Sequence, residues 1–381
     1  MTDEARSSTK RFRIISIVLT LSFLAILIFI TITLLSGEGF NFDWLINIFT
    51  ETQETELADE MFFNIGRARV FADLGNSIAA AGTLGIQVLD YAGSETLREP
   101  TTFGTPAINA QNGRAIAFDI GGMEARVFDK DSVLASVTKS GPIVSASINY
   151  NGWFTIDAQE GGGYRGITSV YDNNGNVVFR VSLSSGYILS SVLSDDNNTL
   201  AILNLTDYGS RVTVYHGLDK EKSDGEYNVL DSLILDIEFL DSGDLLAITA
   251  ESIMLIDPIN ILGWEIFNLD AMRIGGYSIS ENFIALHLLD FGIGHRGKLI
   301  MLDTFGNLYG EVEIDRELIS MSLMDDKLAV MLSDGLVLLD RSLNLLPLTD
   351  ESPSASGVNQ ILSISNDSTM IAGDRFALIV K

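Results

Sequence analysis

Residues 169–179 read Ser-Val-Tyr-Asp-Asn-Asn-Gly-Asn-Val-Val-Phe. A β-branched and aromatic run stops at Asp172, four turn-forming residues follow, and a second β run starts at Val177. Asn, Asp and Gly tolerate the backbone geometry of tight turns, and Val, Tyr and Phe fit a pleated, half-buried surface. The segment therefore predicts strand, hairpin turn, strand.

The same strand end recurs along the chain. It reads Gln87-Val-Leu-Asp90, Arg126-Val-Phe-Asp129, Thr213-Val-Tyr-His216, Met254-Leu-Ile-Asp257, Ile300-Met-Leu-Asp303, Val337-Leu-Leu-Asp340 and Leu378-Ile-Val-Lys381. With Ser169–Asp172 these make eight units whose last residues lie 37 to 46 apart. A fixed period of about 42 residues indicates a blade or a solenoid unit. Each strand end follows a second landmark, a polar turn leading into a short apolar strand, as in Asn112-Gly-Arg-Ala-Ile-Ala-Phe118 or Gly243-Asp-Leu-Leu-Ala-Ile-Thr249. Two more strands follow each Asp turn, so a unit holds four strands, called d, a, b and c in sequence order. In the third unit they fall near 133–139, 142–149, 152–158 and 166–172.

Four-stranded units around an axis make an all-β propeller, which hides most of its strand edges by closing. The last unit ends after strand c, while residues 61–65 (Met-Phe-Phe-Asn-Ile) form a d-type strand with no unit before it. Pairing of that strand with residues near 375–381 would complete the last blade. Eight blades are expected, or seven if the degenerate final unit merges with the first. The chain has no cysteine, so strand pairing alone must close the ring.

The chain of 381 residues carries 51 Asp and Glu against 24 Lys and Arg, a formal charge of −27, with 46% hydrophobic residues. That hydrophobic content excludes a disordered chain. The charge argues against nucleic acid, whose phosphates need a basic footprint. Without cysteine there is no disulfide, thiolate zinc site, cysteine nucleophile or iron–sulfur cluster. Residues 14–35 are 22 consecutive residues without a charge, about 33 Å of helix and enough to span a bilayer. Arg6, Lys10, Arg11 and Arg13 precede them, and residues 37–60 contain acids and no Lys or Arg. The positive-inside rule then leaves residues 1–13 in the cytoplasm as a short tail and sends the rest across the cell membrane. Residues 14–36 are expected as a signal-anchor transmembrane helix, 37–56 as an interfacial aromatic stretch and an acidic linker, and 57–381 as an extracytoplasmic propeller, the part beyond residue 36 carrying a net charge of about −29.

The hydrophobic-hydrophobic-Asp strand ends and polar turns resemble the WD40-like and quinoprotein-like propeller superfamily. With one N-terminal span, the chain looks like an uncharacterised family of anchored propellers in Gram-positive bacteria. It departs from WD40 repeats in lacking Trp-Asp and Gly-His pairs, and its only tryptophans are Trp44, Trp153 and Trp264, too few for the docking motif of quinoprotein blades. The resemblance implies a fold and no activity.

Chemistry is sparse. An Asp at one point of most blades reads as a turn residue that binds backbone N–H groups. The run from Asp172 lacks the Glu that a calcium loop carries at position 12, where Leu183 stands. His216, His287 and His295 are scattered, and no nucleophile elbow, zinc-binding His pair or phosphate loop occurs. No cofactor or metal is expected. Uneven b–c loops stand out in three units: residues 159–165, 206–211 and 290–298. They carry Tyr164, Arg165, Asp207, Tyr208, Arg211, Phe291, His295 and Arg296, and all b–c loops of a propeller emerge on one face. Aromatic and Arg residues are common interface anchors, so these eight form a candidate binding face. The expected role is a non-catalytic module that binds a protein or cell-envelope component. The alternative is an extracellular glycan hydrolase or lyase, recognisable by carboxylates converging on the central channel.

Overall fold

A computed structural model of the chain describes residues 60–380, apart from 68, 160–162, 221, 293, 349–353, 366, 367 and 374–376. The expected cytoplasmic tail, transmembrane helix and linker lie outside the described residues. Among the described residues no helix is long and apolar enough to cross a membrane.

The described chain forms eight four-stranded antiparallel sheets, each ordered a-b-c-d. Blades 1 to 7 cover 70–100, 106–138, 143–183, 187–230, 234–268, 273–314 and 318–346 in turn. Blade 8 takes strands a to c from Val358–Ser365, Ser368–Gly373 and Ala377–Val380, and its outermost strand from Glu60–Met61. Eight is therefore the blade number. Closure follows the expected route, with Glu60 opposite Leu378 and Met61 opposite Ala377.

Burial explains why the middle strands lack alternation. Strands b are sandwiched between neighbouring blades on both faces, so Ser77–Gly82, Phe154–Ala158 and Leu245–Thr249 are buried at every position and read as continuous apolar runs. Rim strands such as Gly225–Leu230 alternate between half-buried and exposed. Between blades 5 and 6, Leu246, Ile248 and Leu255 pack on Ile284, Leu286 and Ile300. Truncating one such side chain to Ala typically costs about 2–5 kcal/mol.

The repeated Asp is a turn residue. Asp172 Oδ1 accepts the N–H groups of Asn174 and Asn176, at 2.9 and 2.8 Å, while its Oδ2 accepts Asn176 Nδ2. Asp303 and Asp340 repeat the arrangement, and Asp90 and Asp129 hold the corresponding N–H groups. Gly175 sits at φ +81° in the first of these turns, a conformation that favours glycine. Side-chain and backbone donors from Asn176 hold the Asp172 carboxyl below the usual carboxylate range.

Candidate functional site

The b–c connections and the d-to-a crossings leave the ring at one end, and the a–b and c–d turns at the other. Tyr164 and Arg165 stand between strands b and c of blade 3, and Phe291, His295 and Arg296 in the loop 290–296 of blade 6. Asp207 and Tyr208 occupy a two-residue turn in blade 4, because strands Thr199–Thr206 and Gly209–His216 pair to their ends. The expected insertion at 206–211 is thus a lengthened hairpin. Arg211 is corrected with it: the residue lies within strand c, 3.4 Å from Glu226 and bonded to Asn228 Oδ1 of strand d.

Two groupings result. Arg165 donates to the Tyr187 hydroxyl, with its guanidinium 4.8 Å from the centroid of that ring. The Tyr208 carbonyl accepts the Asp231 N–H at 2.9 Å, which sets Tyr208 near exposed Leu230 and Leu233. Phe291, His295 and Arg296 stand apart, since blade 5, with only Ala250-Glu251 as its b–c turn, intervenes. His295 Nε2 is 4.0 Å from Glu317 Oε2. Tyr208 and Phe291 are each 76% exposed. Sequence reasoning missed Tyr187, Leu230 and Leu233, which look like ordinary strand-end residues.

At the opposite end the central channel opens into a cavity of about 500 Å³ walled by the inner strands and a–b turns of blades 2 to 7. Asp195, Asp236, Glu238, Asp241, Glu281 and Asp325 line it, and no Lys, Arg or His does. In blade 5 the inner strand Ile234–Phe239 carries a bulge between Ile234 and Asp236. Ile234 and Ile237 are buried while Asp236 and Glu238 line the cavity. A bulge re-aims side chains locally, and plain alternation in the sequence does not reveal it.

Asp236 accepts the Tyr277 hydroxyl at 2.9 Å and the Ile237 N–H at 2.9 Å. Burial still pushes its carboxyl above the usual range, against these bonds. Glu238 is exposed to the channel's solvent, and desolvation by the surrounding wall, then the charges of Asp236 and Asp195, push it up to about 7. Burial and the Asp236 charge also raise Tyr277. Among the described residues no trio of carboxylate or His side chains is arranged to hold a metal ion.

Two further polar groups are structural. Asp157 is wholly buried between blades 3 and 4, accepting Thr168 Oγ1 at 2.6 Å and Ser191 Oγ at 2.9 Å. Desolvation pushes it up to about 6, opposed by those hydroxyls and by the Lys139 charge. His287 is buried in strand b of blade 6, with no hydrogen-bond partner for either ring nitrogen among the described residues. Burial, then the charge of Arg273, lowers its pKa.

Ring closure, blade topology and the Asp turns define an eight-bladed β-propeller. The chain belongs to the family of unknown function DUF5711, which it matches over residues 52–341. Solved propellers share the fold. BamB from Moraxella catarrhalis is 14% identical with a TM-score of 0.55, covering 85% of this chain and 97% of its own. The C-terminal WD40 domain of Sif2 is 13% identical, TM-score 0.59, with coverage of 84% and 98%. Sqt1 from Saccharomyces cerevisiae is 11% identical, TM-score 0.60, with coverage of 85% and 98%. At such identities the likeness shows the fold alone. No curated protein matches the chain in sequence.

Proposed function

We propose that the protein is a membrane-anchored, extracytoplasmic interaction module without catalysis, which engages a protein or cell-envelope component through its b–c face. The observation that carries this reading is the projection of Tyr208 and Phe291 from that face, each three-quarters exposed, with Tyr164, Arg165 and Arg296 in the same set of loops. Large aromatic and Arg side chains supply most of the energy of protein interfaces. The uncharged stretch 14–35 and the acid-only segment after it support the anchor and its orientation. The test is co-purification of the full chain with its partners from cross-linked membranes. Replacing Tyr164, Tyr208, Phe291 and Arg296 by Ala should abolish recovery, and unchanged recovery would overturn the assignment of this face.

A second reading keeps one specific observation. Glu238, pushed up to about 7, stands close to the raised Asp236 in the channel, and carboxyls of unlike ionisation are the working groups of glycan hydrolases. Cleavage of envelope glycans by the full chain, lost in Glu238→Gln, would favour an extracellular hydrolase or lyase.

A further inference from the structure

We propose that His287 is a proton sensor built into the seam between blades 6 and 7, which loosens the b–c end of blade 6 when the medium turns acidic. The strand that carries it, Phe283–Leu289, is otherwise apolar. His287 is 3% exposed, and neither ring nitrogen has a hydrogen-bond partner among the described residues. Alternation along the strand turns it, like Ala285, toward blade 7, where Leu328, Val330 and Leu332 form the facing wall. Buried polar groups are nearly always paired, so an unpaired imidazole in this apolar seam leaves the closed blade without the means to hold a charge there.

Strand a gives the ring room to leave. A Cβ at Gly275 would lie 2.8 Å from His287 Nδ1, and one at Gly276 would lie 3.7 Å from Met321 Sδ of blade 7. Gly275 is the extra residue of the bulge between Ile274 and Gly276, and it is exposed. The ring thus lies beneath two positions without side chains, where the strand is bent and conformationally permissive. The charged groups around it do not favour a proton. Strand a of blade 6 brings Arg273, and strand c brings Lys298, bonded to Glu311 at 3.0 Å. Strand a of blade 7 has no ionisable side chain, and strand b only Lys327 at its far end. At the b–c end Asp290 and Arg296 bound the loop after the strand, Glu317 lies 4.0 Å from His295, and Arg316 pairs with Asp315 and Asp334. Burial, then the Arg273 charge, bear on the ring, and both hold its pKa below the ordinary histidine value. The closed seam therefore refuses a proton that the opened seam accepts at a pKa of about 6.5, so acid favours opening. This sign is opposite to that of Glu238 and Asp157, whose raised carboxyls favour the folded chain in acid, so the two effects separate by place. Phe291 and Arg296 leave from this end of the blade; the consequence for partner binding rests on the b–c face proposed above, whereas the loosening is a property of the chain alone.

The experiment is hydrogen exchange of the full chain in a neutral detergent at pH 7.5 and 5.5, corrected for the intrinsic pH dependence of exchange. Amides of 283–289 and 297–302 should exchange up to about tenfold faster at the lower pH, relative to those of blades 2 and 3. His287→Leu should remove the acceleration, and His295→Gln, at the exposed histidine of the same end, should keep it. The chain has three histidines, so a 13C-labelled ring of His287 can be followed in the natural protein and assigned by exclusion from His216→Asn and His295→Gln, which keeps the test decisive if the Leu variant folds poorly. Its signal should titrate below the ordinary histidine value, in step with the exchange. Equal exchange at the two pH values, the same acceleration in His287→Leu, or a ring that titrates with no change in exchange would overturn the proposal. Loss of the b–c partner assignment would leave these readouts untouched.

Discussion

His216 Nε2 lies 3.1 Å from the Pro258 carbonyl oxygen, and His216 Nδ1 lies 2.9 Å from Thr199 Oγ1. The one blade that replaces the turn Asp by His thus uses the ring to tie blade 4 to the c–d turn of blade 5. A carbonyl only accepts, so Nε2 carries the proton and Nδ1 accepts the Thr199 hydroxyl. The turn's own N–H, which belongs to His216, is taken over by Asp224 Oδ2 at 2.7 Å. His216→Ala removes two hydrogen bonds between neighbouring elements at about 1 kcal/mol each. Thermal unfolding of this variant should begin a few degrees lower, with the blade 4–5 seam gaining hydrogen exchange first.

Asp157 gives a sharper contrast. In Asp157→Ala the Thr168 and Ser191 hydroxyls lose their acceptor and buried Lys139 loses its nearby negative charge. Breaking a buried charged network from one side typically costs about 3–5 kcal/mol. Asp157→Asn keeps an acceptor oxygen, so its loss should be clearly smaller. Urea denaturation of the two variants checks the order.

The raised carboxyls fix the sign of the pH response. Glu238, at about 7, and Asp157, at about 6, hold protons in the folded state at pH values where the unfolded chain has released them. The folded state therefore gains relative stability as the pH falls through about 7 to about 4.5, and loses it as the pH rises again. Melting at pH 5.5 should occur above melting at pH 8. Glu238→Gln should raise the midpoint at pH 8 and flatten the profile; a steeper profile in this variant would contradict the assignment.

Closure rests on a two-residue strand, Glu60–Met61, in which Met61 is buried with Phe63, Phe71, Met370 and Ile379. Met61→Asp places a carboxylate in that cluster. Limited proteolysis should then cut within 358–380 sooner than anywhere in blades 2 to 6. Met61→Leu, which conserves volume, should behave like the natural protein, since such swaps typically cost under about 1.5 kcal/mol.

The ring was legible in the sequence because its signals are local. An Asp before a turn, a Gly with positive φ and a β-branched run each act within a few residues, and the repeat presents them again in most blades. Tyr164, Tyr208 and Phe291 were legible as loop residues for the same reason. Arg211 was misplaced because strands b and c of blade 4 continue to a two-residue turn, and hairpin length depends on cross-strand pairing. Asp236 and Glu238 were overlooked because they read as ordinary polar alternation in a short strand. Only the bulge at Leu235 and the convergence of inner strands on one axis bring them to a common cavity with Asp195, 41 and 43 residues away.

The pairing of Met61 with Ala377 also bears on the order in which the molecule can form. The outer strand of blade 8 leaves the ribosome first among the propeller strands and its partner leaves last. Blades 1 to 7 can assemble from contiguous sequence as they emerge, while Met61 and its apolar neighbours wait through more than 300 residues of synthesis. The slowest event should be the capture of this waiting strand, a loop closure whose entropic penalty grows only slowly with length. Until then the growing arc presents an unpaired edge at one end, and the interval before capture is when it is most open to pairing with another copy of itself.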